Sequence, residues 1–127
     1  MSEERQAQGI PEEVRKVARF LAFFAATRTY RPIDSLSRPF SFDDVVLAIT
    51  DAMRQVAVYR PGELVEVRRG LEEYKVEVPS VPPEPVVQRF LEFCREDLAH
   101  AKVAAALALA YAPVLIKRER GRERERA

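Results

Sequence analysis

The chain has 127 residues, 47% of them apolar and 32% charged, and its 21 Lys and Arg against 20 Asp and Glu leave a formal net charge of +1. Length and a single compositional block point to one domain with a core of modest size. Near-neutrality argues against wholesale coating of nucleic acid but does not exclude a local basic face, and the lone Cys94 excludes a disulfide framework or a thiolate metal cluster.

The first nine residues are polar and read as a flexible N-terminus. Ile10 then precedes Pro11, Glu12 and Glu13, a proline followed by first-turn acids that starts a helix. Val14, Val17, Ala18, Leu21, Ala22 and Ala25 give that helix an apolar stripe to about Thr27. Phe20, Phe23 and Phe24 widen the stripe until the last turns are apolar almost all round, as in a core helix or a partner interface.

Residues 27–39 form a connector in which Ile33 and Leu36 can anchor a short helical turn. Ser41-Phe42-Asp43-Asp44 has the form of a capping box. A helix is predicted from there to about Tyr59, with Val45, Ala48, Ile49, Ala52 and Val56 on one face. After the turn signal Pro61-Gly62 the period changes to two. Leu64, Val65 and Val67 alternate with Glu66 and Arg68, and Tyr74, Val76 and Val78 with Lys75 and Glu77. This predicts a β-hairpin over about residues 64–78, which needs a helix or another subunit to pack on.

Pro82, Pro83 and Pro85 mark a stiff connector, and one long helix is predicted from Glu84 to about Ala112, ended or kinked by Pro113. Its alanine-studded second half suits close approach of another helix, within the fold or from a partner. Residues 117–127 alternate arginine and glutamate without an apolar face and read as a charged C-terminal tail, solvated or resting on a partner. The fold class is therefore mainly α: a helical bundle over residues 10–116 with a small β-hairpin inserted before the last long helix.

The first twenty residues hold four glutamates and no apolar stretch before a cleavage site, unlike a secretory signal. The apolar run from Val103 to Ile116 is too short to span a membrane. The expectation is a soluble, cytoplasmic protein. Arginine far outnumbers lysine and tryptophan is absent, features that suit either a hot environment or a GC-rich genome.

No catalytic constellation emerges. His100 is the only histidine, and Cys94 would lie about 240° from it around one ideal helix. Asp97 is placed to pair with His100 on the helix surface. Asp43, Asp44 and Asp51 are accounted for by a cap and a polar face rather than by convergence on metals. None of the four glycines opens a phosphate loop. The expectation is no enzyme, no metal and no cofactor.

What remains is arginine in aromatic company. The connector carries Arg28, Tyr30, Arg31 and Arg38 against the single acid Asp34. Arg54 and Arg60 come from the next helix and its exit, and the hairpin adds Arg68, Arg69 and Lys75. A guanidinium offers a planar fork to phosphate oxygens and a tyrosine face stacks on bases. These nine residues are the candidate nucleic-acid contacts, and pairing with the many glutamates on a solvated surface is the competing reading.

The order of these pieces resembles a known family. Ala18-Arg19-Phe20-Leu21-Ala22 leads through Ala26-Thr27-Arg28-Thr29-Tyr30 to Ile33-Asp34-Ser35-Leu36. A second helix holds Ala52-Met53-Arg54, a hairpin ends in Tyr74-Lys75-Val76-Glu77-Val78-Pro79, and a last helix carries Phe90-Leu91 and then residues 97–106, Asp97-Leu98-Ala99-His100-Ala101-Lys102 onward. Over roughly residues 10–112 this looks like the small subunit of the archaeal type I-A CRISPR surveillance complex, the archaeal Cascade. The resemblance implies a helical core with a small β element, several copies stacked along a guide-RNA filament, and no enzymatic activity. It implies an antiviral-defence role in which the subunit holds opened target DNA by its backbone while guide pairing reads sequence. The implied partners are other complex subunits, guide RNA and the target DNA backbone, with self-association besides. Two other readings stand beside it: a DNA-wrapping coat protein of a filamentous archaeal virus, and a helical interaction module with no nucleic-acid role.

Overall fold

The computed structural model describes residues 9–36 and 40–117. Five helices, α1 (Glu12–Ala26), α2 (Arg31–Ser35), α3 (Phe42–Val56), α4 (Glu84–Glu96) and α5 (Ala99–Leu115), surround one apolar core. A three-stranded antiparallel sheet, β1 (Leu64–Arg69), β2 (Glu72–Glu77) and β3 (Ile116–Lys117), is ordered β1-β2-β3. The hairpin lies between α3 and α4, as the change of period predicts. Among the described residues no helix is long and apolar enough to cross a membrane.

The centre of the fold is α1 against α5. Ala18, Ala22 and Ala25 of α1 and Ala101, Ala104, Ala105 and Ala108 of α5 are all buried, so the small side chains of the last helix serve a close contact inside the molecule. Phe20, Phe24 and Phe90 are the largest fully buried side chains. Phe24 meets Phe20 edge-on at 6.1 Å and Phe23 at 5.5 Å, a favoured aromatic geometry. No charged residue among those described is buried, so the core is held mainly by apolar packing.

Local chemistry sets the element ends. At the start of α3 the Ser41 N–H donates to Asp44 Oδ2 at 2.9 Å and the Asp44 N–H to Ser41 Oγ at 3.3 Å, completing the expected capping box. The helix stops at Val56, a turn before Tyr59. Helix α1 ends in a Schellman motif: the Thr29 N–H donates to the Phe24 carbonyl and the Arg28 N–H to that of Ala25. Arg28 occupies the left-handed position, φ 60°, usually given to glycine.

The hairpin turn is two residues long, with Gly70 at φ 62° as such turns demand. Val65, Val67, Tyr74 and Val76 face the core. Leu64, expected with the apolar set, lies by register on the charged outer face and is half exposed. The Tyr74 hydroxyl donates to the Ala26 carbonyl at 2.8 Å, a buried bond that ties the hairpin to the end of α1.

The sequence reading of a single helix from Glu84 to Ala112 is corrected. Asp97 adopts φ −155°, ψ 112° and splits it into α4 and α5. Its Oδ1 accepts the Ala99 N–H at 3.0 Å, the competition with helical bonding that makes aspartate a terminal rather than an interior residue. Pro113 does not end α5, which continues two residues further to Leu115. Proline there removes one bond of the last turn only. The chain then re-enters the sheet: Ile116 and Lys117 pair with Val76 and Lys75 as β3, a strand not foreseen at the start of the charged tail.

Candidate nucleic-acid interface

The nine candidate residues fall into separate groups. Arg38 lies outside the described residues, as does the tail beyond Lys117. Arg28 and Arg69 meet where the hairpin tip touches the end of α1. Arg69 Nη2 donates to the Arg28 carbonyl at 3.0 Å, and Arg28 Nη2 lies 2.9 Å from Glu72 Oε2. These contacts position the tip on the connector, and the Glu72 pair already takes one side of the Arg28 fork. Arg68 sits on the outer sheet face, 2.9 Å from Glu73 and 3.8 Å from Glu66. Lys75 is on the same face, opposite Glu66 and Lys117 in register. The outer face is thus a lattice of alternating charges, close to the competing reading of the sequence.

Tyr30, Arg31 and Arg54 come together differently. They line one open cleft of about 790 Å³ between α2 and α3, with Phe40, Leu47 and Ala48 forming apolar wall and Asp34, Asp44 and Asp51 acidic wall. The short helix α2 begins with Arg31-Pro32 and is pinned by buried Pro32, Ile33 and the following Leu36. This holds Arg31 at the cleft mouth. Arg54, in the last turn of α3, faces it from the other wall, and Tyr30 is 42% exposed beside them. Among the described residues no ion pair or hydrogen bond engages the guanidinium group of Arg31, Arg54 or Arg60, although the Ser35 hydroxyl donates to the Arg31 carbonyl at 3.0 Å. Two of the three cleft carboxylates are hydrogen-bonded locally. Asp44 accepts from the Ser41 backbone and hydroxyl, and Asp51 Oδ2 accepts from Gln55 Nε2 at 2.7 Å. Two unpaired guanidinium forks and an open tyrosine face can receive a phosphate and an adjacent base. Arg60 stands apart in the turn after α3, where its backbone N–H donates to Glu63 Oε1.

Sequence reasoning favoured the connector for its single acid but could not separate the eight cations further, because spacing along the chain does not say which of them meet glutamates in space. It also missed Leu47, an exposed apolar residue on the cleft wall whose place on the helix face opposite Val45 and Ile49 carried the signal.

The other titratable groups add no chemistry. Among the described residues no group of three or more His, Cys, Asp or Glu could hold a metal ion. His100 does not pair with the Asp97 carboxylate as expected. Its Nδ1 lies 3.0 Å from the Asp97 main-chain oxygen and its ring packs on Phe93. Cys94 is fully buried, and burial pushes its thiol up to about 12 from 9.0. Since the folded state holds the proton more tightly, this contribution to stability is complete below pH 9.0 and is lost as pH rises toward 12. A water-soluble disulfide reagent at pH 8 should therefore label native protein at least about 100-fold more slowly than urea-unfolded protein, with the rate set by opening of the fold. Prompt labelling of folded protein would place Cys94 at the surface.

No protein-family model matches the chain, and no curated protein or solved structure matches it either.

Proposed function

We propose that the protein is a non-catalytic small subunit of an RNA-guided CRISPR interference complex, where it holds opened target DNA through backbone contacts. The observation that carries the contact surface is the cleft between α2 and α3. The guanidinium groups of Arg31 and Arg54 stand there without partners among the described residues, beside the exposed Tyr30, while Asp44 and Asp51 are held by local hydrogen bonds. An arginine left unpaired beside carboxylates that are already bonded is arranged for an external anion. The lining sets two arginines against the three aspartates Asp34, Asp44 and Asp51, so the cleft offers directed contacts rather than an attractive long-range field, and affinity grows when several copies line up along one strand. Phosphate contacts of this kind position without reading sequence. Base pairing to the guide supplies sequence recognition. The complex itself rests on the resemblance over residues 10–112.

Purification of the tagged chain from cells that produce it tests this reading. The expected result is co-purification of guide RNA with other subunits of one complex. Chain recovered free of RNA and of other subunits, or as filaments of itself wound on DNA, would contradict it.

A further inference from the structure

We propose that the open edge of β1 joins the same edge of a second copy, antiparallel about a two-fold axis at Val67, to make one continuous sheet across a homodimer. The inference stands apart from any nucleic-acid role. The sheet order leaves β1 at an edge, and its six residues pair with β2 in unbroken register without bulge or proline. Such an edge presents unused main-chain donors and acceptors.

The register identifies those groups. The Val78 N–H donates to the Glu63 carbonyl. Hydrogen-bonded and open pairs alternate along an antiparallel ladder. Odd-numbered residues of β1 therefore bond toward β2, and Leu64, Glu66 and Arg68 turn their N–H and C=O groups outward. A second β1 strand must bond to that even-numbered set.

Charge then selects the alignment. With Val67 opposite Val67 of the second copy, Glu66 of each copy faces Arg68 of the other. The strands exchange about four main-chain hydrogen bonds across two opposite-charge pairs. Moving the register two residues along sets Glu66 directly against Glu66, a like-charge pair that disfavours it. Because contacting residues exchange roles across the axis, the interface is self-complementary and closes at two copies.

The flank of the edge suits the addition. A groove of about 330 Å³ runs beside β1, lined by Phe23, Phe24 and Tyr59 along with Val65 and Val67. An added strand would place its own inward-facing Val65 and Val67 along this side, the usual division in which main chain supplies adhesion and alternate side chains fill pockets.

Charge exchange tests the proposal by sedimentation equilibrium, with circular dichroism to follow the fold. The wild type should dimerise reversibly. Glu66→Arg and Arg68→Glu should each weaken the dimer about tenfold, since either makes both inter-copy pairs like-charged. An equimolar mixture of the two variants should recover affinity to within about threefold of wild type, because the mixed dimer restores opposite charge at both pairs. Damage to the intrachain contacts of Glu66 or Arg68 would persist in the mixture, so recovery reports the inter-copy pairs alone. A wild type that remains monomeric, a dimer insensitive to both reversals, or a mixture no tighter than its components would each overturn the proposal.

Discussion

Replacing Phe24 by alanine is expected to lower stability by about 3–5 kcal/mol, the range for truncating a fully buried aromatic side chain. Phe24 is 1% exposed and touches two other phenylalanines edge-on. Its helix packs against α5, α4 and α2, so the space left cannot be closed by moving one neighbour. Domains of this size are stable by only about 5–15 kcal/mol. The variant should therefore lose about a fifth or more of its stability, with Tm falling by roughly 10–20 °C. Urea unfolding followed by circular dichroism measures this. Leu47→Ala is the matched control: at 66% exposure on the cleft wall, its loss should change stability by less than about 0.5 kcal/mol. Equal effects from the two substitutions would contradict the assignment of the core.

That core was legible in the sequence because its pattern is periodic. The stripe of α1, the capping box at Ser41 and the alternation from Val65 to Val78 each follow from one local rule, and the structure keeps all three. The break at Asp97 was hidden because the apolar stripe continues on both sides of it. One aspartate drawing the Ala99 N–H to its side chain outweighs a helical pattern on either flank. Strand β3 was illegible for a different reason. Two residues carry no detectable alternation, and their pairing depends on where α5 delivers the chain relative to β2. The Schellman turn at Arg28 was obscured because arginine stands where glycine would have marked it.

The candidate site was legible in composition and illegible in geometry. The arginines of the connector and hairpin were visible, but their pairing was not. Glu72, Glu73 and Glu66 come within reach of Arg28 and Arg68 only after the hairpin folds onto α1. The neighbours along the chain gave no means of ranking Arg31, Arg54 and Arg60 above the rest. A similar limit applies to the edge of β1, since which residues face outward depends on the bonding phase with β2.

Removing the cleft residues Arg31 and Arg54 together with Arg60 of the turn after α3 is expected to weaken target-strand binding by the assembled complex about a hundredfold for each copy that engages the strand, at roughly 1 kcal/mol for each charge-assisted phosphate contact. The loss should be equal for all target sequences, because phosphates carry no base identity. All three residues are exposed and without ion-pair partners among the described residues. The triple alanine variant should therefore fold and assemble normally, and a drop in assembly would point to a structural role instead.

The salt dependence of that binding tests the central claim most directly. Target-strand affinity of assembled complexes is measured across a range of salt concentrations, with wild-type subunit and with the triple variant. Each phosphate contact to a single strand adds about −0.7 to the slope of log affinity against log salt. For each copy of the subunit that engages the strand, the variant's slope should be shallower by about 2. Parallel lines for the two complexes would mean that these arginines do not meet phosphates, and would contradict the assignment of the cleft as the nucleic-acid contact.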